Sequence, residues 1–345
     1  MFLRNHWYVA ARSDELGRSL LARRILNEPV LLYRTEAGEA VAIEDRCCHR
    51  NVPLSIGKLV KDDVQCGYHG LVFDRGGRCI SMPGQEKIPA AARIKSFPLI
   101  ERWQMVWIWM GDPALADEAR LPDFSIIDRE GWVAVGARVD IKANYLFGVD
   151  NLLDLSHLSY VHERTIGTLD VARHGVTTTR HGDSVKVTRW MQNVPPPPTF
   201  VKLGGFDGNI DRWQIATAAP PCYVWLEVGG AKVGTGAMEG NRSQGIERWN
   251  LNVVTPETEK TAHLFWTEVR NFKIDDPETT QVLKAQIDAT LEEDAEVLAA
   301  QQRTVDLLPT AKTVDIVFDA GSVAFRRTIE RMQREEAAGH PAAAE

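Results

Sequence analysis

The chain has few cysteines, no long apolar run and no run of positive charge, and each shortage argues against a class of protein. There are five cysteines in 345 residues, and four of them (Cys47, Cys48, Cys66 and Cys79) fall in one short stretch. That is too few and too bunched for a disulfide framework, and in a reducing compartment clustered thiols read as metal ligands first. No stretch approaches the roughly 20 apolar residues of a membrane span. The start, Met1 to Trp7, shows no apolar segment behind a basic one, so no signal peptide is expected and a cytoplasmic location is. The formal net charge is -7 and no basic run is present, which argues against a nucleic-acid partner. Two redox modules are also missing. No Gly-x-Gly-x-x-Gly follows a strand pattern, and no plant-type ferredoxin cysteine spacing occurs. The remainder is ordinary for a globular protein, at 44% hydrophobic and 25% charged. The length allows two domains at roughly 100–200 residues each.

The first third reads as β. Runs such as Pro29-Val30-Leu31-Leu32-Tyr33-Arg34 and Met105-Val106-Trp107-Ile108-Trp109-Met110 are β-branched and aromatic, and they lie between turn signals. Asp74-Arg75-Gly76-Gly77 supplies a hairpin turn. The texture changes after Pro113, and residues 114–122 read as a linker, giving domains at 1–113 and 114–345. The second part mixes strands with helical segments near 148–163 and 277–303. The proline run 195–198 reads as a stiff exposed loop, the Gly-rich stretch 229–245 as a flexible strand connection, and the tail from Glu335 as frayed.

Cys47-Cys48-His49 is followed by Cys66-Gly67-Tyr68-His69, each piece in a Gly- and Pro-rich loop setting between strands. Paired loops of this kind can grip a metal centre from two sides. Zinc fingers usually place a Cys pair first and a His pair later, on a helix. Here each half carries one Cys and one His, which suits a [2Fe–2S] cluster with two imidazoles on one iron, a substitution that raises its potential. The Cys-x-His spacing selects Cys47 over Cys48. Cys79 and Cys222 read as small hydrophobes.

The other dense cluster is Asp150-Asn151-Leu152-Leu153-Asp154-Leu155-Ser156-His157-Leu158-Ser159-Tyr160-Val161-His162. Asn151, Asp154 and His157 recur at three-residue steps and are expected on one helix face. His162 is five residues beyond His157, so the helix must end or bulge between them if both bind one metal. Two His and one carboxylate make the facial set of non-haem Fe(II) oxygenases. Ile287, Leu291, Asp294 and Leu298 share one apolar stripe, where an ionised carboxylate is costly unless paired or metal-bound. That stripe selects Asp294, and leaves Glu292, Glu293 and Glu296 toward the polar side.

These two motifs, with Asn5-x-Trp7-Tyr8-Val9-Ala10, Trp107-Ile108-Trp109-x-Gly111-Asp112 and Thr255-Pro256-Glu257-Thr258-Glu259, resemble the oxygenase components of Rieske non-haem iron oxygenases. The likeness is to the branch of vanillate O-demethylase, dicamba O-demethylase and toluenesulfonate methyl-monooxygenase. Cys48 departs from it, since a Pro usually follows the first Cys. The resemblance implies an α+β chain: an all-β Rieske domain, then a helix-grip (START-like) catalytic domain. It implies a [2Fe–2S] cluster on Cys47, His49, Cys66 and His69, and Fe(2+) on His157, His162 and Asp294. Asn151 is expected beside the iron site, and Asp154 as an electron bridge from His157 to a cluster-binding His of the neighbouring subunit in a homotrimer. The implied activity is O2-dependent O-demethylation or methyl hydroxylation of an aromatic acid, fed by a separate flavin and ferredoxin-type reductase. The alternative is a ring-hydroxylating dioxygenase forming cis-diols. Asn252 and Trp213 are the candidate substrate contacts, and Arg189, Arg212 and Arg248 are equal candidates for reading the acid group.

Overall fold

The runs at 29–34 and 105–110 do form strands in the computed structural model, which describes residues 1–162 and 173–339. The chain divides into two compact units. One holds 2–121 together with 255–259, and the other holds 122–254 and 260 onward. The units part between Leu121 and Pro122, a little beyond the expected boundary at 113.

The first unit is all β. Its strands are β1 (Trp7–Arg12), β2 (Leu21–Ile25), β3 (Glu28–Arg34), β4 (Ala40–Glu44), β5 (Lys58–Val60), β6 (Asp63–Gln65), β7 (Val72–Phe73), β8 (Cys79–Ser81), β9 (Leu99–Arg102) and β10 (Met105–Trp109). They form three sheets, ordered β2-β3-β4, β5-β6-β7-β8 and β1-β10-β9. β1 and β10 are buried at every position, which explains why they read as continuous apolar runs and not as alternation. The expected turn at 74–77 joins β7 to β8: Gly77 takes φ +78 and its N–H donates to the Asp74 carbonyl at 2.9 Å. Segment 255–259 is tied in by the Thr255 hydroxyl, which donates to the Val9 carbonyl at 2.9 Å, and by the Leu26 N–H, which donates to the Pro256 carbonyl at 2.9 Å. Leu31, Tyr33, Ile43, Leu54, Val64 and Phe73 are fully buried in one core with Cys47 and Cys66.

The second unit is one seven-stranded antiparallel sheet with helices. Its strands are β11 (Val133–Ile141), β12 (Thr177–His181), β13 (Ser184–Val194), β14 (Ile210–Ala219), β15 (Tyr223–Lys232), β16 (Gly245–Thr258) and β17 (Thr261–Arg270), ordered β11-β17-β16-β15-β14-β13-β12. Its helices are α1 (Tyr145–Leu153), the single turn α2 (Leu158–Val161), α3 (Pro198–Gly204), α4 (Pro277–Leu307) and α5 (Ala320–Gly339). The chain is therefore α+β. None of the described helices is long and apolar enough to cross a membrane.

α4 starts on Asp276, whose carboxylate accepts from the Glu278 and Thr279 N–H groups at 3.0 and 3.3 Å. Its buried stripe holds Leu283, Ile287, Leu291, Asp294 and Leu298, as the sequence period predicts, and it packs on β11. α1 lies against β14, β15 and β17.

Four expectations change. The helical segment near 148–163 is broken in two, and its last residue lies outside the described ones. Residues 335–339 are the end of α5 and not a frayed tail, although α5 buries only Gly321, Phe325, Thr328 and Ile329 and so leaves a faint periodic signal. The proline run is not simply an exposed loop, because Pro197 is buried and Pro198 opens α3, where its missing N–H costs nothing. Gly229 and Gly230 sit inside β15, and a Cβ on Gly229 would lie 2.0 Å from the Trp213 ring.

Candidate metal centres

The loops carrying Cys47 and Cys66 are the same turn built twice. The Cys47 N–H donates to the Val52 carbonyl at 2.8 Å, and the Cys47 carbonyl accepts from the Asn51 N–H at 2.9 Å. The Cys66 N–H donates to the Leu71 carbonyl at 2.8 Å, and the Cys66 carbonyl accepts from the Gly70 N–H at 3.1 Å. The fourth residue after each cysteine is left-handed, Asn51 at φ +57 and Gly70 at φ +75, which suits these two residue types. At the base of the second loop, a Cβ on Gly57 would lie 2.1 Å from the Gln65 carbonyl oxygen, so glycine alone fits.

Cys47 and Cys66 are each 2% exposed, and their thiols are within hydrogen-bonding reach of each other. Burial, together with the neighbouring Cys66 thiol, pushes the Cys47 thiol up to about 11. His49 and His69 stand on the outside, with ring centroids 4.6 Å apart. Two buried thiols and two exposed imidazoles form a donor set that would suit a [2Fe–2S] cluster held by two sulfurs and two nitrogens. Cys48 is half-buried and packs at the edge of the same core.

In the second unit α1 is capped by Asn144, whose side chain accepts from the Leu146 N–H at 2.9 Å, and the helix ends at Leu153. Asp154 takes extended backbone, so the break falls before His157 and not between the two histidines. His157 and His162 then bracket the single turn α2. The expected shared helix face for Asn151, Asp154 and His157 is therefore not formed, since only Asn151 is helical.

The break brings three donors together. His157 Nε2 lies 3.1 Å from His162 Nε2, and Asp294 Oδ1 lies 3.5 and 3.2 Å from these two nitrogens. Donors at right angles around a metal about 2.1 Å away are about 3 Å apart, so the triangle fits one ion. The other ring nitrogens are committed elsewhere. His157 Nδ1 faces the Asp154 carbonyl at 2.6 Å, and His162 Nδ1 faces Glu293 Oε2 at 2.8 Å. With those nitrogens donating, both Nε2 lone pairs point at the Asp294 carboxylate, a convergence that is repulsive without a cation between them. Burial lowers the His157 pKa against the nearby carboxylates. Burial also acts on His162, but Asp294 and Glu293 outweigh it and raise its pKa.

Asn151 Nδ2 donates to Asp294 Oδ1 at 2.9 Å and so orients that carboxylate. The Asp154 carboxylate accepts from the Ser156 N–H and hydroxyl at 2.7 and 2.5 Å, and its other oxygen lies 3.8 Å from His157 Nδ1. Its backbone carbonyl, not its carboxylate, orients His157. Glu293 escaped the sequence reading, because one position along α4 from Asp294 it falls off the apolar stripe.

The three donors open onto a cavity of about 350 Å³ walled by α1, α3, α4 and alternate residues of β14 to β17. Arg212, Gln214, Leu226, Val228, Arg248, Asn250 and Glu268 face it. Neither Asn252 nor Trp213 does. Trp213 points from the opposite face of β14, fully buried between Trp190 and Ala231. Asn252 is on the right face but past the cavity's edge, donating to Asn250 Oδ1 at 2.7 Å.

Comparison with known proteins places both halves. Residues 6–98 match the Rieske [2Fe-2S] domain, and residues 141–335 match the vanillate O-demethylase oxygenase C-terminal domain. The iron–sulfur subunit of the toluene-4-sulfonate monooxygenase system of Comamonas testosteroni is 40% identical over 98% of this chain and 99% of its own. The oxygenase component of dicamba O-demethylase of Stenotrophomonas maltophilia is 36% identical, again over 98% and 99%. A crystal structure of dicamba monooxygenase with non-haem iron and dicamba superposes with a TM-score of 0.85 at 33% identity, covering 98% of this chain and 99% of that one. The chain belongs to the Rieske non-haem iron oxygenase family, in the branch defined by the vanillate O-demethylase oxygenase C-terminal domain.

Proposed function

We propose that this chain is the oxygenase component of a monooxygenase that removes or hydroxylates a methyl group on a substituted aromatic acid. One observation carries the reading: His157, His162 and Asp294 converge at the wall of a cavity large enough for a small aromatic molecule, in a chain that also holds the Rieske loops. In this reading His157, His162 and Asp294 hold the iron, and Cys47, His49, Cys66 and His69 hold the cluster. When bound, the cluster supplies electrons one at a time and the iron supplies a site at which O2 is reduced.

The chain's own residues set the conditions for that chemistry. Glu293 and the Asp154 carbonyl fix the two imidazoles, and Asn151 fixes the carboxylate. Leu226, Val228, Ile287 and Leu291 make the wall apolar and keep water from the bound ring. Asp154 keeps one carboxylate oxygen near His157 while its side chain is still partly exposed. This suits a link from His157 to the cluster-binding imidazole of a neighbouring copy in a homotrimer. A separate flavin and ferredoxin-type reductase would provide the electrons, and a cytoplasmic location would keep the cysteines outside the cluster reduced.

The methyl-directed reading is favoured over cis-diol formation because the similar proteins are an O-demethylase component and a toluene-4-sulfonate monooxygenase subunit. A single turnover tests it. The metal-loaded protein is reduced, mixed with O2, and assayed on methoxybenzoates and methylbenzenesulfonates. Formaldehyde with a phenol, or a benzylic alcohol, is expected. A cis-diol, or no product from any member of the panel, would overturn the proposal.

A further inference from the structure

Two arginines, Arg212 and Arg248, line the cavity and a third, Arg189, is buried near Arg212; Arg189 and Arg248 are already engaged. Arg189 donates to the His174 carbonyl at 3.0 Å and to the Leu155 carbonyl at 2.5 Å. Arg248 is in an ion pair with Glu268, which also accepts from Asn250 at 3.4 Å. Arg212 is different. It is 5% exposed and lines the cavity, its Nε is buried without a hydrogen-bond partner, and among the described residues no carboxylate pairs with it. Its guanidinium lies 5.6 Å from the centroid of the Phe200 ring.

A desolvated, uncompensated guanidinium is costly, and natural cores keep one only where something pairs with it. Burial, with the Arg189 and Arg248 charges adding to it, brings its pKa down to about 10, so it stays a cation at neutral pH. The surroundings specify the missing partner. Leu226, Val228, Ile287 and Leu291 offer an apolar slot for a ring, and Gln214 sits two positions along the same strand face with an amide for a second oxygen. A planar fork of N–H donors matches a carboxylate two-to-two, and it also suits the oxygens of a sulfonate.

We propose that Arg212 is the specificity residue that binds the carboxylate or sulfonate of an aromatic substrate and thereby sets which end of the ring turns toward His157, His162 and Asp294. This rests on the oxygenase reading above, but the binding step is testable apart from it. The probes are benzoate, benzenesulfonate and neutral benzamide, titrated calorimetrically into metal-loaded wild type, Arg212→Gln and Arg212→Lys.

Wild type should prefer an anion over benzamide. Arg212→Gln should weaken that anion about 30- to 100-fold and leave benzamide within about threefold. Arg212→Lys should recover part of the loss, since it keeps the charge without the fork. A loss confined to benzoate marks a carboxylate site, and one confined to benzenesulfonate a sulfonate site. No anion preference in wild type, or equal anion affinity in wild type and Arg212→Gln, would overturn the assignment. If Arg212→Gln loses its circular dichroism or its iron, wild type and Arg212→Lys decide alone: an Arg212→Lys that binds anions as wild type does overturns the role of the fork. Lost anion binding alongside a failed single turnover would sink the oxygenase reading and leave the anion site standing. Turnover of neutral and anionic ethers alike, in wild type and variant, would do the reverse.

Discussion

At the scale of single residues, Asp154 has two separable duties. Its backbone carbonyl orients His157, while its carboxylate is held by Ser156 through one oxygen and turns the other toward His157. Asp154→Asn keeps the carbonyl and the side-chain shape and removes only the charge. It should therefore retain both metals, as measured by iron content and the cluster's absorbance, and lose turnover by about 10- to 100-fold. The reduced cluster in the variant should reoxidise correspondingly slowly when O2 and substrate are added. Turnover at the wild-type rate would remove Asp154 from the electron route.

At the scale of elements, α4 carries Asp294 to the site on a stripe of buried leucines and isoleucine, so the position of one of the three converging donors depends on packing well away from it. Leu283 is fully buried on that stripe and does not line the cavity. Leu283→Ala should cost about 2–5 kcal/mol in denaturant unfolding, because the helix and sheet relax only partly into the space. A cost below about 1 kcal/mol would mean that α4 is not seated as described. This stripe is also the clearest case of what the sequence disclosed. Asp294 was legible because a carboxylate breaking an apolar period of three and four is anomalous on chemical grounds. Both cysteine–histidine loops and the pair His157 and His162 are legible for the same reason, as unusual residues at telling spacings. The sequence does not separate Arg212 from Arg189 and Arg248, nor does it show that Trp213 packs on the face of β14 away from the cavity. Alternation says that strand neighbours face opposite ways but not which way faces the site, and that phase is fixed only by the register of β13 to β16. Glu293 was missed because it reaches His162 from off the stripe, and α5 because so little of it is buried.

At the scale of the molecule, the proposed link from one copy to the next has a consequence that no single chain can display. The protein should sediment as three chains. On the proposed assignment His162→Ala removes an iron ligand and Cys66→Ser a cluster ligand, and each should be inactive alone. Co-expressed in equal amounts they should form mixed trimers in which about a quarter of sites pair an intact iron centre with a neighbour's intact cluster. Activity near that fraction is expected in the mixed assembly. Inactive mixed trimers would place electron transfer within one chain instead.

The doubled turn around Cys47 and Cys66 bears on speed as well as on assembly. An electron arriving at a centre must wait for nearby dipoles to turn toward its charge, and the energy of that turning sets how fast it can arrive and leave. Here the N–H and carbonyl of both cysteines are already bonded within their own loops, and Asn51 and Gly70 hold each loop in a backbone conformation from which it does not easily relax. Those backbone dipoles are held and do not swing. The seat resists change of shape when its charge changes, and a relay that delivers electrons singly works faster for that stiffness.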